Sequence, residues 1–482
     1  MPASTGARAR HGDGWLGAGG RERLADRARV AVARARASGR QVLAAVTVAA
    51  PRGTDPSAVV LAARRPGEAW ACLEQPDRDG SALAALGAVC SLEARGPVRF
   101  ARVAAAWRAL AAEAAADPPD GPPGAGLVAV GGFAFAPTGG STPPWSGFAP
   151  ASLVVPEVAL ARRGGDVCLT VAALAAPDDL PEELVARVER RLATLGDAAL
   201  PLLDPEPAGG SRVLSAMPPE HYEEAVARAV ELIRAGGLEK VVLAREVQVH
   251  APGGHDPGAV LGVLRDGFRG CYVYAVGRGE RAFVGASPEL LVRREGLRAS
   301  TVALAGSTGR SADASVDDHL GERLMRSAKD REEQAIVTRR IERALRPHSV
   351  WVTAAPEPVL VRVANIQHLG TPIRAQLAEP VGAIELAGAL HPTPAVGGEP
   401  LEVAERLIPR LEGLDRGWYA GPVGWTDANE DGELCVALRC ALLAGPVAHL
   451  YAGVGVVAES DPAAELAETE VKLQALLPVL AA

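Results

Sequence analysis

Lysine is nearly missing from this chain: of its 50 lysines and arginines, only Lys240, Lys329 and Lys472 are lysines. An exposed guanidinium solvates a surface as well as an ammonium does, so a bias toward arginine strips lysine from positions where charge alone is enough. The survivors become candidates for places that need an amine, as a base or as a compact point charge. Aromatic residues are scarce at 4%, and the formal net charge is -8. Both features argue against a nucleic-acid binder, which needs a basic face and stacking rings. The six cysteines form no C-x-x-C pair, and no histidines stand at zinc spacing. They read as small core residues in a reducing cytoplasm. No uncharged apolar run reaches the roughly eighteen residues of a membrane span, and the first thirty or so residues lack a signal-peptide core, so a soluble cytoplasmic protein without membrane contact is expected.

Apolar residues make up 48% of the 482, with alanine, valine and leucine in place of rings. The length allows about three domains or one large mixed unit. Residues 1–25 are expected to be a mobile tail, 26–205 the N-terminal part of a single α+β domain, and 206–482 its catalytic part. Pro/Gly-rich stretches at Asp117–Gly126 and Pro137–Pro150 read as surface loops flanking a strand at Leu127–Phe135, and Leu202–Ser211 as a break between the halves. Beyond that break the pattern predicts a helix over Glu220–Ala235 and strands at Lys240–Val249, Cys271–Val276, Arg281–Val284 and Leu290–Arg293. One long helix over Asp317–Leu345 follows, then strands at Val350–Thr353, Leu434–Leu443 and His449–Val457, and a last helix over Pro462–Leu476. Interleaved helices and hairpins give α+β with large antiparallel sheets.

Several charged residues sit awkwardly in this pattern. Lys240 opens an apolar strand, where it either snorkels to water or, desolvated, serves as a base. Glu289 stands between the Ser287-Pro288 turn and an apolar strand. It is either a turn carboxylate bonding backbone N–H groups or a general acid whose pKa is raised by desolvation. Glu465, Glu468 and Lys472, at i, i+3 and i+7, share one helix face. They form an exposed ion-pair ladder or, met by a carboxylate from another helix such as Glu333, an oxygen-only site suited to Mg²⁺ and a substrate carboxylate. Arg439 reads as a charge inside an apolar strand that requires an anionic partner. Gly453 and Gly455 free backbone N–H groups to approach an anion, Tyr419 adds a hydroxyl, and His368 either satisfies a structural role or orients a substrate.

Taken in order, Gly131-Gly132-Phe133-Ala134-Phe135, Ser287-Pro288-Glu289-Leu290, Lys329-Asp330 with Glu333, His368-Leu369-Gly370-Thr371, His391-Pro392-Thr393-Pro394-Ala395-Val396-Gly397-Gly398, Arg416-Gly417-Trp418-Tyr419-Ala420-Gly421 and the Gly453 to Lys472 segment resemble the chorismate-utilising enzymes. The resemblance covers about residues 130–478 and implies the fold of anthranilate synthase component I. It further implies that Glu333 and Glu468 hold Mg²⁺, with Glu465 and Asp330 beside them, and that Arg439 and Tyr419 take the enolpyruvyl carboxylate. Gly306 and Ser307 would line the substrate, with Gly453, Gly455 and Lys472 at its carboxylates. His368 would lie against the ring, Glu289 would protonate the departing C4 hydroxyl, and Lys240 would deprotonate the water attacking C2. Glu333-Gln334 departs from the Glu-His of many relatives.

Two positions choose a branch. Ammonia-using members resemble glutamine at Lys240, and the aminodeoxychorismate branch carries a nucleophilic lysine where this chain has Ala305. Ser307 stands where salicylate synthases resemble threonine. The implied activity is therefore isochorismate synthase, an isomerase, with salicylate synthase as the alternative and a non-catalytic chorismate-binding subunit as the distant one. A monomer without a glutaminase subunit is expected, serving menaquinone or catechol-siderophore biosynthesis.

Overall fold

Leu24, Ala28, Ala31, Val32 and Ala35 recur at helical spacing and are buried on one side of a helix spanning Gly17–Ser38. This corrects the expected tail: from Gly17 on, the segment is an ordered part of the core, and Gly39 stops the helix in the left-handed region at φ 68°. The computed structural model describes residues 14–204, 209–363 and 366–481, so residues 1–13 of that tail and residues 205–208 of the expected break lie outside the described residues.

Among the described residues, two sheets of 13 and 10 strands carry the fold, antiparallel except where Ala115–Ala116 pairs parallel with Val42–Ala49. Each takes strands from both halves of the chain. Trp70–Gln75 pairs with Tyr272–Arg278 in the larger sheet, and Val128–Phe133 with Pro422–Asp427 in the smaller. Strand Val42–Ala49 shows why the sequence alternates so weakly. Leu43 and Ala45 enter a core shared by both sheets, whereas Val42, Ala44 and Val46 enter a second core with helix Gly17–Ser38. Both faces are covered, so both must be apolar. The few rings are pooled in the shared core, where Trp145, Phe148, Phe283 and Trp418 meet edge to face, Phe148 and Trp418 at 5.0 Å.

Most elements after residue 211 fall where the pattern puts them, but two do not. The helix expected over Asp317–Leu345 is two, Ala314–Arg326 and Ala328–Leu345, broken at Ser327, which leaves helical geometry (ψ 116°) and caps the second helix by accepting from Asp330 N. The strand expected over Leu434–Leu443 is likewise two, Gly432–Val436 and Cys440–Ala444. Arg439 falls in the gap at φ 47°, so it is not a strand residue: the left-handed turn lifts its side chain out of the ladder. In strand Arg298–Gly309 of the smaller sheet the pairing with Ile366–Leu377 slips between Ala305 and Ser307, where Gly306 takes φ 69°. That bulge breaks the inward and outward alternation.

Candidate active site

Strands Lys240–His250 and Val447–Val456 run antiparallel, with Val242 opposite Gly455 and Ala244 opposite Gly453. Helices Ala328–Leu345 and Pro462–Leu473, the bulge at Gly306 and the turn at Arg439 close around the strand ends. They border an open cleft whose empty space, counted out into the solvent, is about 860 Å³. All but one of the residues expected at the site border it directly; Lys240 does not line the space but touches two residues that do, Glu333 and Gly455.

Lys240 is 1% exposed, and its amine donates to Glu333 Oε1 at 2.6 Å. It does not snorkel. The glycine across the ladder makes the space, since a Cβ on Gly455 would lie 2.8 Å from both Glu333 Oε1 and Lys240 Cε. A Cβ on Gly453 would lie 2.7 Å from the Tyr419 hydroxyl.

Glu289 is buried in the cleft wall, and desolvation pushes its carboxyl up to about 8, against the lowering effects of Lys240, Thr393 and Arg439. It is thus an acid that keeps its proton at neutral pH. His368 is held neutral in the opposite sense: burial, then the charges of Arg439 and Lys472, bring it down to about 3. Its Nδ1 donates to Gly306 O at 3.2 Å, and Nε2 accepts from Arg439 Nη2 at 3.5 Å, which fixes the tautomer. Arg439 is half-buried in the cleft wall, and its buried Nε has no hydrogen-bond partner among the described residues. A guanidinium in a cleft wall that lacks a protein carboxylate partner suits an anion.

The acidic side of the cleft holds Asp330, Glu333, Glu465 and Glu468. Burial tends to raise Glu468, yet Lys472 at 2.8 Å and the Ser307 hydroxyl, also at 2.8 Å, outweigh it and bring the carboxyl down to about 2. Asp330 and Glu465 go the other way, raised by desolvation and then by their carboxylate neighbours. Among the described residues no group of three or more Asp, Glu, His or Cys is arranged to hold a metal ion. Lys240 engages Glu333 and Lys472 engages Glu468.

Sequence reasoning gave no role to two supporting residues, Thr393 and Arg416. Thr393 donates to Glu289 Oε1 at 3.5 Å. Arg416, paired with buried Glu412, stacks 4.2 Å over Phe135 and 5.7 Å from Tyr419. The signal was a polar residue inside a buried turn, Thr393 between two prolines and Arg416 beside Trp418. Gln334 turns away from the acids and donates at 2.9 Å to both Ala303 O and Thr371 Oγ1, so the departure from Glu-His is structural.

The family model described as "Chorismate binding enzyme" matches residues 30–481. The chain belongs to that family. It is 40% identical over 409 residues, 85% of this chain and 84% of the other, to the salicylate biosynthesis isochorismate synthase of Pseudomonas aeruginosa. To isochorismate synthase MenF of Bacillus subtilis it is 34% identical, covering 74% of this chain and 75% of the other. Among solved structures, the menaquinone-specific isochorismate synthase MenF of Escherichia coli superposes with a TM-score of 0.76 at 27% identity, covering 91% of this chain and 94% of that one. The family's chorismate-binding fold is thus present over nearly the whole chain, and no helix among the described residues is long and apolar enough to cross a membrane.

Proposed function

We propose that the chain is an isochorismate synthase, adding water at C2 of chorismate and losing the C4 hydroxyl as water. The observation that carries this reading is a buried lysine amine held on Glu333 of the cleft wall, together with a second acid of the same wall, the buried Glu289, which desolvation pushes up to about 8. Lys240 takes a proton from the incoming water as its oxygen bonds to C2. The ring double bonds shift, and Glu289 gives its proton to the oxygen leaving C4. One water enters and one departs, so the product is an isomer. Arg439 and Tyr419 receive the enolpyruvyl carboxylate, and neutral His368 lies against the ring. Ala305 borders the cleft where the aminodeoxychorismate branch would carry a nucleophilic lysine, and Lys240 stands where ammonia-using members would carry glutamine, which together support water as nucleophile and a single chain working without a glutaminase subunit.

The acidic side suits Mg²⁺. Its donors are all carboxylate oxygens, and Asp330, Glu333, Glu465 and Glu468 outnumber the lysines that pair with them, Lys240, Lys329 and Lys472. Glu333 and Glu468 would hold the ion, with Glu465 and Asp330 beside them. The ion would supply charge neutralisation and orientation for the substrate's ring carboxylate. Incubation with chorismate and Mg²⁺, followed by chromatographic identification of products, tests the reading. Isochorismate supports it, salicylate as the main product replaces it with salicylate synthase, and chorismate binding without turnover replaces it with a non-catalytic subunit.

A further inference from the structure

The Glu289 backbone is held from two sides: its N–H donates to Ser287 Oγ at 3.1 Å, and its carbonyl accepts from Val436 N at 3.0 Å. The carboxyl group is held by one residue. Among the described residues its hydrogen-bond partner is the Thr393 hydroxyl, 3.5 Å from Oε1, and both side chains are almost fully buried, at 3% and 2% exposure. Hydrogen bonds of catalytic groups are often long before substrate binds.

Thr393 is mounted rigidly. Pro392 and Pro394 flank it and restrict its backbone, and its β-branched side chain has few rotamers. Its carbonyl accepts from Val396 N at 3.1 Å and Gly397 N at 2.8 Å. The Gly397 carbonyl in turn accepts from Val242 N at 2.7 Å, and Glu399 pairs with Lys240. One short segment therefore joins the partner of the acid to the strand that carries the base.

We propose that Thr393 is a positioning residue for the general acid: by donating to Oε1 it makes that oxygen the carbonyl end of the carboxyl and leaves the proton on Oε2, free for the departing hydroxyl. This rests on the acid role read above for Glu289. A protonated carboxyl has one oxygen that only accepts and one that donates, and a hydroxyl donor selects the first. Without the donor, the carboxyl turns about its last torsion, a broad and shallow one. The charged and titratable groups facing Glu289 are Lys240, Arg439 and the Cys435 thiol, and none of them is removed in the test.

The test compares wild type, Thr393→Val and Thr393→Ser for kcat, KM and the pH dependence of turnover of chorismate with Mg²⁺. Thr393→Val is expected to lower kcat roughly ten- to hundredfold, the scale of a displaced catalytic group, with KM little changed. Its alkaline limb, near 8 in the wild type, should move to higher pH, because loss of a donor destabilises the carboxylate. Thr393→Ser should restore both. If melting shows the valine protein to be unfolded, Thr393→Ala takes its place. Unchanged kcat and limb without the hydroxyl, or a serine protein as impaired as the valine one, overturns the proposal. A wild type that binds chorismate without turning it over sinks the acid role itself, which is a separate outcome.

Discussion

The amine of Lys240 and the carboxylate of Glu333, 93 residues apart in sequence, lie 2.6 Å from each other at the wall of the cleft. The proposed base and a proposed metal ligand are direct neighbours, and the missing side chain at Gly455 leaves room for both. Binding of the cation and freedom of the base are thus features of one small space, and changes on either side are separable by experiment.

On the base side, Lys240→Arg keeps the charge but replaces the amine by a guanidinium, which does not serve as a base. Turnover should fall by roughly 10²- to 10⁴-fold, the usual contribution of a general base, and Lys240→Ala should fall as far. Recovery of most activity by arginine would reject the base role in favour of a purely electrostatic one.

On the metal side, Glu333→Gln and Glu468→Gln each remove one anionic oxygen donor. Calorimetric Mg²⁺ titration should show affinity weakened by more than the ~10- to 100-fold typical of losing an outer-sphere partner, with Mg²⁺-supported turnover abolished and the melting transition retained. Binding and activity undiminished at limiting Mg²⁺ would remove these carboxylates from the metal site.

Glu289 links activity to stability with opposite signs. Its folded pKa, about 8, lies above the ordinary 4.5, so between those values the folded state holds a proton that the unfolded chain has released. Stability from this group is full below 4.5 and is lost as pH rises through about 8. Glu289→Gln titrates nothing here. Its melting temperature relative to wild type should rise steadily across that window and level off beyond it, while its turnover falls by roughly 10²- to 10⁴-fold. A pH-independent difference in melting temperature would contradict the buried, protonated carboxyl.

Ser307 sits just past the Gly306 bulge with its hydroxyl on Glu468. The wild type should release isochorismate with little salicylate. Ser307→Thr keeps that hydroxyl and adds a methyl group, enough to shift a bound intermediate and alter its partitioning between release and pyruvate loss. The salicylate-to-isochorismate ratio over time, against an enzyme-free isochorismate control, reads this directly. Salicylate dominating in the wild type would overturn the proposed stopping point.

The residues around the cleft were legible in the sequence because each breaks a local rule: an amine at the head of an apolar strand, an acid after a proline turn, glycines at a strand end, three charges on one helix face. Strand Lys240–His250, the hairpin around Gly279 and the last helix followed from periodicity alone. Local pattern was blind to two interruptions. At Ser327 the charged spacing continues across the break, and at Arg439 the apolar run continues on both sides of the turn, so neither shows a change of period.

Residue types, their order and the periodicity of most elements were determined by the sequence by itself, since these depend on near neighbours and on which faces must be apolar. Only the tertiary structure decided that Lys240 meets Glu333, that Ser307 meets Glu468 and that Thr393 meets Glu289, across 93, 161 and 104 residues. Such meetings depend on strand register, on the bulge at Gly306 and on the left-handed turn at Arg439, and these are set when both sheets close around one core.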